Sequence, residues 1–244
     1  MDALVHLDQA LLLSLNQLAG KSVALDVAVR GIANLYIIKI GPFCAALWWL
    51  WFRKEGTGDA GPTGSRRLVV DAVIGAALAV LLSMVIQALM PERPRPLHDL
   101  SVPFVPPLGQ SREALKNWSS FPSDNAAIAF ALAASFFRPS RLAGVLACLW
   151  AAVVVCLPRV YLGLHYPGDV TAGALIGIAS AVIAARLVPT TGVYRLVWWL
   201  EDRYRPWFYS GVFLMTYEMV VLFEDVRRAA GGAAKVLRGL GHGP

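Results

Sequence analysis

The chain has 244 residues, of which 57% are hydrophobic and 16% are charged, and its formal net charge is +6. Soluble domains carry roughly 25% charged residues and somewhat under half apolar ones, so this composition excludes a disordered chain, a disulfide-rich secreted scaffold and an ordinary soluble enzyme. The positive charge does not indicate a nucleic-acid partner, because the basic residues cluster in short segments between apolar runs. The sequence therefore predicts an all-α, polytopic integral membrane helical bundle.

Residues 1–32 combine apolar positions with polar side chains that are costly inside a bilayer. Asp8, Asn16 and Asp26 are the clearest of these. We therefore predict that residues 1–32 form interfacial amphipathic helices rather than a membrane span.

Five further segments reach or approach the roughly 20 apolar residues that a membrane-spanning helix needs. They cover residues 33–52, 68–90, 122–137, 141–161 and 169–188. The third is short for a full crossing, so we expect it to tilt or to begin below the surface in a water-filled pocket. Residues 33–190 are predicted to form one transmembrane domain with about five to six spans in the whole chain.

The connections between these segments differ in charge. Residues 53–67 and 138–141 are rich in Arg and Lys, which the positive-inside rule places in the cytoplasm. The connections 91–121 and 162–168 then lie outside. We expect a protein of the inner (plasma) membrane whose outer loops face the extracytoplasmic side.

Residues 191–244 form a basic, amphipathic extension. The apolar stretch 207–224 is interrupted by Glu218 and followed by basic residues such as Arg227 and Arg238. A sixth span would place this basic tail outside. We favour an amphipathic helix on the cytoplasmic face that binds anionic lipid.

Three short polar stretches fall at the outer ends of the predicted spans: 91–96 (PERPRP), 119–125 (SSFPSDN) and 158–169 (PRVYLGLHYPGD). The topology brings all three to one extracytoplasmic pocket. Arginine guanidinium groups bind phosphate oxygens in pairs, and a Ser at a helix start adds an anion site. The candidate phosphate ligands are Arg93, Arg95, Arg159 and Ser123.

The last stretch also contains a candidate nucleophile. His165 and Asp169 lie four residues apart, so the carboxylate can hold the imidazole in one tautomer and leave its other nitrogen free to attack. The three cysteines lie in apolar runs without metal-ligand spacing. Together these features predict phosphoryl transfer by a histidine and arginines, with no metal and no cofactor.

This set of motifs resembles the type-2 phosphatidic acid phosphatase superfamily, which shares its core with the vanadium haloperoxidases. The family's third motif has an Arg and then His-x-x-x-Asp, and Arg159, His165 and Asp169 match it. Its second motif reads Pro-Ser-Gly-His or Pro-Ser-Asp-His, where this chain has PSDN over residues 122–125. Its first motif is a Lys followed by Arg-Pro, of which RPRP over 93–96 keeps only the second part. The details are most similar to bacterial undecaprenyl-pyrophosphate phosphatases.

The resemblance implies a covalent mechanism. His165 would attack phosphorus to form a phosphohistidine, and Asp169 would orient it. The phosphate-binding set that the resemblance and the residue chemistry together imply comprises Arg93, Arg95, Ser123, Asp124 and Arg159.

Two positions depart from the family pattern. The first-motif Lys has no counterpart, and Lys39 or Lys116 are candidates to replace it. Asn125 stands where the family has the His that protonates the leaving group, and an amide cannot donate a proton in this way. Asp124 or His98 could supply the missing acid, although Asp124 equally suits a helix cap.

The absence of the proton-donating histidine affects which substrate we expect. General acid catalysis contributes roughly 10²–10⁴-fold, and a monoester needs it more than a pyrophosphate, whose leaving phosphate departs readily. We therefore expect hydrolysis of a polyprenyl (undecaprenyl-type) pyrophosphate. The alternatives are a lipid phosphotransferase with the same phosphohistidine and a non-catalytic binder or carrier of lipid phosphates. The expected partners are this lipid and the surrounding membrane lipids, not nucleic acid, and the oligomeric state stays open.

Overall fold

The computed structural model describes residues 2–53, 64–115 and 118–222, and within these ranges every regular element is helical. A π-helical turn (Ala151–Cys156) joins α7 to α8, and a 3-10 turn (Val188–Thr190) follows α9. The α-helices in chain order are α1 (Asp2–Asn16), α2 (Val23–Asn34), α3 (Tyr36–Lys39), α4 (Gly41–Phe52), α5 (Gly64–Leu89), α6 (Asp124–Ser135), α7 (Arg141–Trp150), α8 (Leu157–Tyr161), α9 (Pro167–Leu187), α10 (Val193–Arg203) and α11 (Arg205–Val220).

Three helical segments in the described part of the chain are long and apolar enough to cross a membrane: Gly64–Leu89, Arg141–Tyr161 and Pro167–Thr190. They coincide with three of the five predicted spans. The other two contain α4 and α6, which have 12 residues each and are therefore about 18 Å long, shorter than the roughly 30 Å hydrocarbon core. The all-helical membrane architecture is confirmed.

Helix α6 is short because it lies at the centre of the bundle. It packs between α5 and α9, and side chains such as Ala126, Ile128 and Leu132 are completely buried. Its first residue follows Ser123, which is itself buried. A helix that protein surrounds on all sides does not need to match the thickness of the bilayer.

Two glycines bring the backbones of α9 and α6 into direct contact. A Cβ atom on Gly173 would lie 2.2 Å from the Ser123 carbonyl oxygen, and one on Gly177 would lie 2.2 Å from that of Ala127. Small residues spaced four apart allow this close approach between membrane helices. As a result the N-termini of α6 and α9 lie side by side, and the Ser123 amide donates a hydrogen bond to the Asp169 carbonyl (3.0 Å).

Helices α1 and α2 cover the end of the bundle where residues 91–115, 118–121 and 162–166 meet, which we call the site end. The Asn16 amide forms two hydrogen bonds with the Val105 backbone (2.7 and 2.9 Å). The buried Asp26 carboxylate accepts hydrogen bonds from the Leu108 amide (2.9 Å) and the Tyr161 hydroxyl. The polar residues that disfavour a span therefore bind the connection between α5 and α6 and the end of α8.

Helix α10 packs at the opposite end, which we call the basic end, and α11 begins there. Tyr209 on α11 contacts Trp51 near the C-terminus of α4, and Thr216, two turns later, contacts Trp48 (3.1 Å). Helix α11 therefore runs antiparallel to α4, and its Met219 is buried in the main core. This differs from the surface position expected for 207–224, because aromatic and hydroxyl contacts attach α11 to the bundle. The basic tail with Arg227 and Arg238 lies outside the described residues.

Candidate active site

The nucleophile predicted from the sequence, His165, is buried in the loop between α8 and α9. Its Nδ1 lies 2.8 Å from the Ser120 carbonyl oxygen. A carbonyl can only accept a hydrogen bond, so this contact assigns the proton to Nδ1 and leaves the lone pair on Nε2. The Nε2 atom lies 3.4 Å from Nη1 of Arg95.

The surroundings keep this imidazole neutral. Burial lowers the pKa of His165 well below its usual range, and the guanidinium groups of Arg95 and Arg159 lower it further by repelling the charged form. Arg159 lies on α8, one turn after the π-helical turn, and is half-buried. At neutral pH the Nε2 atom is therefore unprotonated and lies between positive charges.

Asp169 does not hold His165 directly, which corrects the expected orienting contact. Its Oδ2 atom lies 4.0 Å from Nδ1 of His165, and the Ser120 carbonyl is much closer. The carboxylate instead accepts hydrogen bonds from the Tyr166 amide (2.8 Å) and from the Ser120 hydroxyl. Asp169 therefore acts on the imidazole indirectly, because it fixes both the Ser120 side chain and the residue after His165.

Arg93 is bound by carboxylates on two sides. Its Nη1 donates to Oδ1 of Asp169 (2.5 Å) and its Nη2 donates to Oδ2 of Asp8 (2.8 Å). The guanidinium also lies 4.2 Å above the Tyr166 ring. The sequence predicts Arg93 as a phosphate ligand, but here its donors are directed at protein carboxylates, so it serves first to join α1 to the start of α9.

Arg95 is the arginine of the RPRP stretch that lies beside His165. It is buried and donates to the carbonyl oxygens of Trp118 (3.0 Å), Ser119 (3.0 Å) and Leu164 (2.5 Å). These bonds tie residues 118–119 to the residue that precedes His165. The side chain thus fixes the position of the loop and brings positive charge to Nε2.

Asp8 is a site residue that sequence reasoning missed. Besides Arg93, its carboxylate accepts a hydrogen bond from the Gly168 amide in the first turn of α9 (2.6 Å). The sequence did indicate that this residue is unusual, since Asp8 is a carboxylate within an apolar run. It was interpreted only as evidence against a span, because its partner lies 85 residues away in sequence.

The second motif lies on the first turn of α6. Ser123 is its N-cap residue and accepts a hydrogen bond from the Ala126 amide (3.4 Å). Oδ1 of Asp124 accepts from the amide and from Nδ2 of Asn125 (2.8 and 3.0 Å). Oδ1 of Asn125 is buried without a hydrogen-bond partner. The motif therefore forms the capped start of α6 and contains one amide oxygen, Oδ1 of Asn125, without a hydrogen-bond partner.

The candidate substitutes for the missing family groups have other contacts. His98 hydrogen-bonds the Arg112 carbonyl within the connection between α5 and α6 (2.8 Å). Lys39 is buried on α3, with Nζ 4.2 Å above the Tyr36 ring. Lys116 lies outside the described residues. Within the ranges that the structure covers, no group of three or more His, Cys, Asp or Glu side chains could hold a metal ion.

The sequence profile of the PAP2 superfamily, the type-2 phosphatidic acid phosphatases, matches residues 68–192, about half of the chain. The chain belongs to the PAP2 superfamily. It is 31% identical over 169 residues to YbjG of Escherichia coli (strain K12), which carries the name of an undecaprenyl-diphosphatase, with 69% of this chain and 76% of that protein covered. It is also 48% identical over 60 residues to a lipid A 4'-phosphatase of Bacteroides thetaiotaomicron, with 23% and 26% covered.

A solved structure shares the fold. The crystal structure of Aquifex aeolicus LpxE matches with a TM-score of 0.54 and 25% sequence identity, covering 72% of this chain and 92% of that one. The family match and these relatives confirm the expected enzyme class, a membrane-bound lipid phosphatase. The extension from α10 onwards lies almost entirely beyond the matched residues 68–192.

Proposed function

We propose that the protein hydrolyses a polyprenyl pyrophosphate to the monophosphate through a phosphohistidine on His165. The observation that carries this proposal is the neutral, buried imidazole whose Nδ1 faces the Ser120 carbonyl and whose Nε2 lies beside Arg95. The name of the relative YbjG supports the choice of substrate.

In the first step, Nε2 of His165 attacks the terminal phosphorus and forms an N–P bond. The bond from this phosphorus to the bridging oxygen breaks, and the prenyl monophosphate leaves with the electron pair. The positive charges of Arg95 and Arg159 stabilise the charge that moves onto the phosphoryl oxygens. The phosphorylated ring carries a positive charge, which the hydrogen bond from Nδ1 to the Ser120 carbonyl stabilises.

In the second step, water attacks the phosphorus, the N–P bond breaks and its electron pair returns to Nε2. Inorganic phosphate leaves with the oxygen and protons of the water. The unused Oδ1 of Asn125 is suited to accept a hydrogen bond from this water and orient it, although it cannot take the proton. The proton passes to a phosphate oxygen instead.

The same residue supports a preference for pyrophosphates. An alkoxide leaving group needs a proton donor, and Asn125 provides none. A phosphate leaving group departs without one at neutral pH. Since general acid catalysis contributes roughly 10²–10⁴-fold, its absence penalises monoesters far more than pyrophosphates.

The distribution of charge supports a site on the extracytoplasmic side of the plasma membrane. Arg66, Arg67 and Arg138 lie at the basic end, opposite His165. Impermeant thiol reagents applied to intact cells test this orientation. Cysteine introduced at the exposed Ser101 should react, whereas cysteine at the exposed Asp202 should react only after lysis. The reverse pattern would contradict the proposed orientation.

Transfer of the phosphoryl group to a second lipid is the other candidate function. The observation that favours it is that Asn125, at the position of the family's histidine, cannot deprotonate water, whereas a phosphate acceptor is already ionised. Both candidates share the phosphohistidine and differ only in what removes the phosphoryl group.

A substrate panel tests the proposal. Purified enzyme is assayed with prenyl diphosphate, prenyl monophosphate, phosphatidic acid and phosphatidylglycerol phosphate, and the phosphoenzyme is trapped with labelled phosphate. We expect the diphosphate to be turned over at least about 100-fold faster than the monoesters. Comparable rates for lipid mono- and diphosphates would contradict the proposed substrate class. Labelled phosphate that moves to a second lipid identifies the transferase.

A further inference from the structure

A cavity extends along α4 and α11 from the basic end, and no residue of the candidate active site lines it. Its volume is about 710 Å³, and α4, α5, α10 and α11 form its walls. Ligand sites in proteins commonly have volumes of roughly 300–1,000 Å³. The cavity is therefore large enough for a ligand, and the proposed reaction does not use it.

The side chains that line this cavity are mostly aliphatic and aromatic. Leu47 on α4, Val73 on α5 and Met215 on α11 are typical of its lining. The two indole N–H groups of its α4 wall are already bonded, since Trp48 donates to Thr216 (3.1 Å) and Trp51 donates to the Tyr209 hydroxyl (3.2 Å). A lining of this kind binds an apolar chain rather than a polar metabolite.

Two guanidinium groups lie against aromatic rings of the same wall. Arg66 lies 4.4 Å from the centre of the Trp51 ring and is paired with Glu201 (2.7 Å), whereas the exposed Arg203 lies 5.8 Å from the centre of the Tyr204 ring. Both rings line the cavity. Positive charge beside an apolar cavity is complementary to a molecule with a hydrocarbon chain and an anionic head, and each basic residue near an anionic lipid contributes about 1 kcal/mol.

The extension supplies half of this structure. Helices α10 and α11 lie beyond the residues that match the PAP2 superfamily, and they complete a cavity that α4 and α5 alone would leave open. We propose that α10 and α11 hold one anionic membrane phospholipid, with an acyl chain in the cavity and its phosphate beside Arg203. Because the protein lies in a membrane, this ligand is present at high concentration.

Gly211 allows the cavity to be filled without a clash. It lines the cavity, and a Cβ atom built on it meets no atom within 4 Å. Gly31 on α2, at the other end of the molecule, has the same open surroundings. Gly211→Trp therefore fills the cavity, and Gly31→Trp is its matched control.

The experiment uses the full chain, reconstituted with equal amounts of phosphatidylglycerol and phosphatidylethanolamine and then examined by native mass spectrometry. Wild type and Gly31→Trp should retain one phosphatidylglycerol molecule, and Gly211→Trp should lose it. Circular dichroism and size-exclusion chromatography report whether each variant is folded.

A second pair of variants tests the headgroup. Arg203→Gln removes a charge beside the cavity and should weaken retention of phosphatidylglycerol about fivefold. Arg195→Gln removes the same charge from an exposed position of the same helix and should have no such effect. This pair stays informative if Gly211→Trp does not fold.

Three results would overturn the proposal. The first is equal retention of phosphatidylethanolamine by wild type, which would exclude recognition of an anionic head. The second is unchanged lipid retention in folded Gly211→Trp together with unchanged retention in Arg203→Gln. The third is a dimer of the chain that Gly211→Trp dissociates, which would assign the cavity to contact between two copies.

Discussion

Both ends of the bundle contain clusters of an arginine, a carboxylate and a tyrosine, but these clusters have different roles. At the site end, Arg93 lies between Asp8 and Asp169 and above the ring of Tyr166. This cluster continues to the residues around His165, because Asp169 also binds Ser120 and the Tyr166 amide.

At the basic end, the groups of the corresponding clusters are bound to one another. Arg138 pairs with the buried Asp71, which also accepts a hydrogen bond from the Tyr194 hydroxyl (2.6 Å). Arg66 pairs with Glu201 (2.7 Å), which accepts from the hydroxyl of a nearby tyrosine on α11 (2.6 Å). Each cluster joins α10 or α11 to the transmembrane core and leads to no reactive group.

The difference shows how to separate function from structure in a buried ionic cluster. The two clusters at the basic end hold helices together. At the site end, the same kind of cluster adjoins a neutral imidazole whose Nε2 carries a lone pair and faces Arg95. Substitutions at the site end should therefore mainly lower activity, and substitutions in the two clusters of the basic end should mainly lower stability.

The largest effect on activity is expected for His165→Ala. Removal of a covalent nucleophile typically lowers kcat by about 10⁴–10⁶-fold, because the intermediate can no longer form. Phosphate release and labelling of the protein with phosphate should disappear together. Retained labelling would show that another residue is the nucleophile, and folding can be checked from the thermal unfolding temperature.

Asn125→His should have the next largest effect, as a gain. A histidine at this position restores a proton donor, so hydrolysis of prenyl monophosphate should rise by about 10²–10⁴-fold while hydrolysis of the diphosphate changes far less. The ratio of the two kcat/KM values measures this. Asn125→Gln, which adds no acid, is the control, and an equal gain in both variants would contradict the role given to the missing acid.

Asp8→Asn tests the contribution of α1 to the site. Loss of a charged hydrogen bond of about 1.5–3 kcal/mol should lower kcat by about 10–100-fold, because Arg93 and the start of α9 lose a common partner. Asp26→Asn is the control, since this buried carboxylate binds the Leu108 amide in the connection between α5 and α6 and not Arg93. It should lower the unfolding temperature more than kcat. A lower KM in Asp8→Asn would instead show that Asp8 competes with the substrate phosphate for Arg93.

The pH dependence of kcat/KM should reflect the burial and the charges around His165. Burial and the neighbouring guanidinium groups hold the pKa of His165 well below its usual range, so activity should persist below the pH at which a free histidine becomes protonated. Arg159→Gln removes one of these charges, raises the pKa of His165 and should move the acidic limb of kcat/KM to higher pH. Arg112→Gln, in the connection between α5 and α6, should leave the acidic limb in place. No shift in Arg159→Gln would contradict the proposed electrostatic coupling.

The smallest effect on activity is expected at the basic end. Asp71→Asn breaks the pair with Arg138 and weakens the bond to Tyr194, so the free energy of unfolding should fall by about 1–3 kcal/mol. The kcat of the folded variant should equal that of wild type. A thermal-shift measurement and a phosphate-release assay on the same preparation test both statements, and a large loss of kcat would remove the distinction between the two ends.

Much of the fold and part of the site could be predicted from the sequence. Long apolar runs predicted α5, α7–α8 and α9, because the choice between membrane and water depends on hydropathy summed over neighbouring residues. The three polar stretches at the site end, and the position of His165 among them, followed from the alternation of spans and loops. The choice between Arg93 and Arg95 could not be made, since both precede a proline in the same six residues.

The sequence by itself determined that this protein is a membrane bundle of the PAP2 superfamily with polar motifs at one end, because these properties depend on local hydropathy and on short motifs. Only the tertiary structure decided that Ser120 rather than Asp169 holds His165, that Asp8 belongs to the site and that α11 packs against α4. Each of these contacts joins residues at least 45 positions apart. Packing between helices, such as the close approach of α6 and α9, decides which distant residues meet. Local sequence patterns carry no information about this packing.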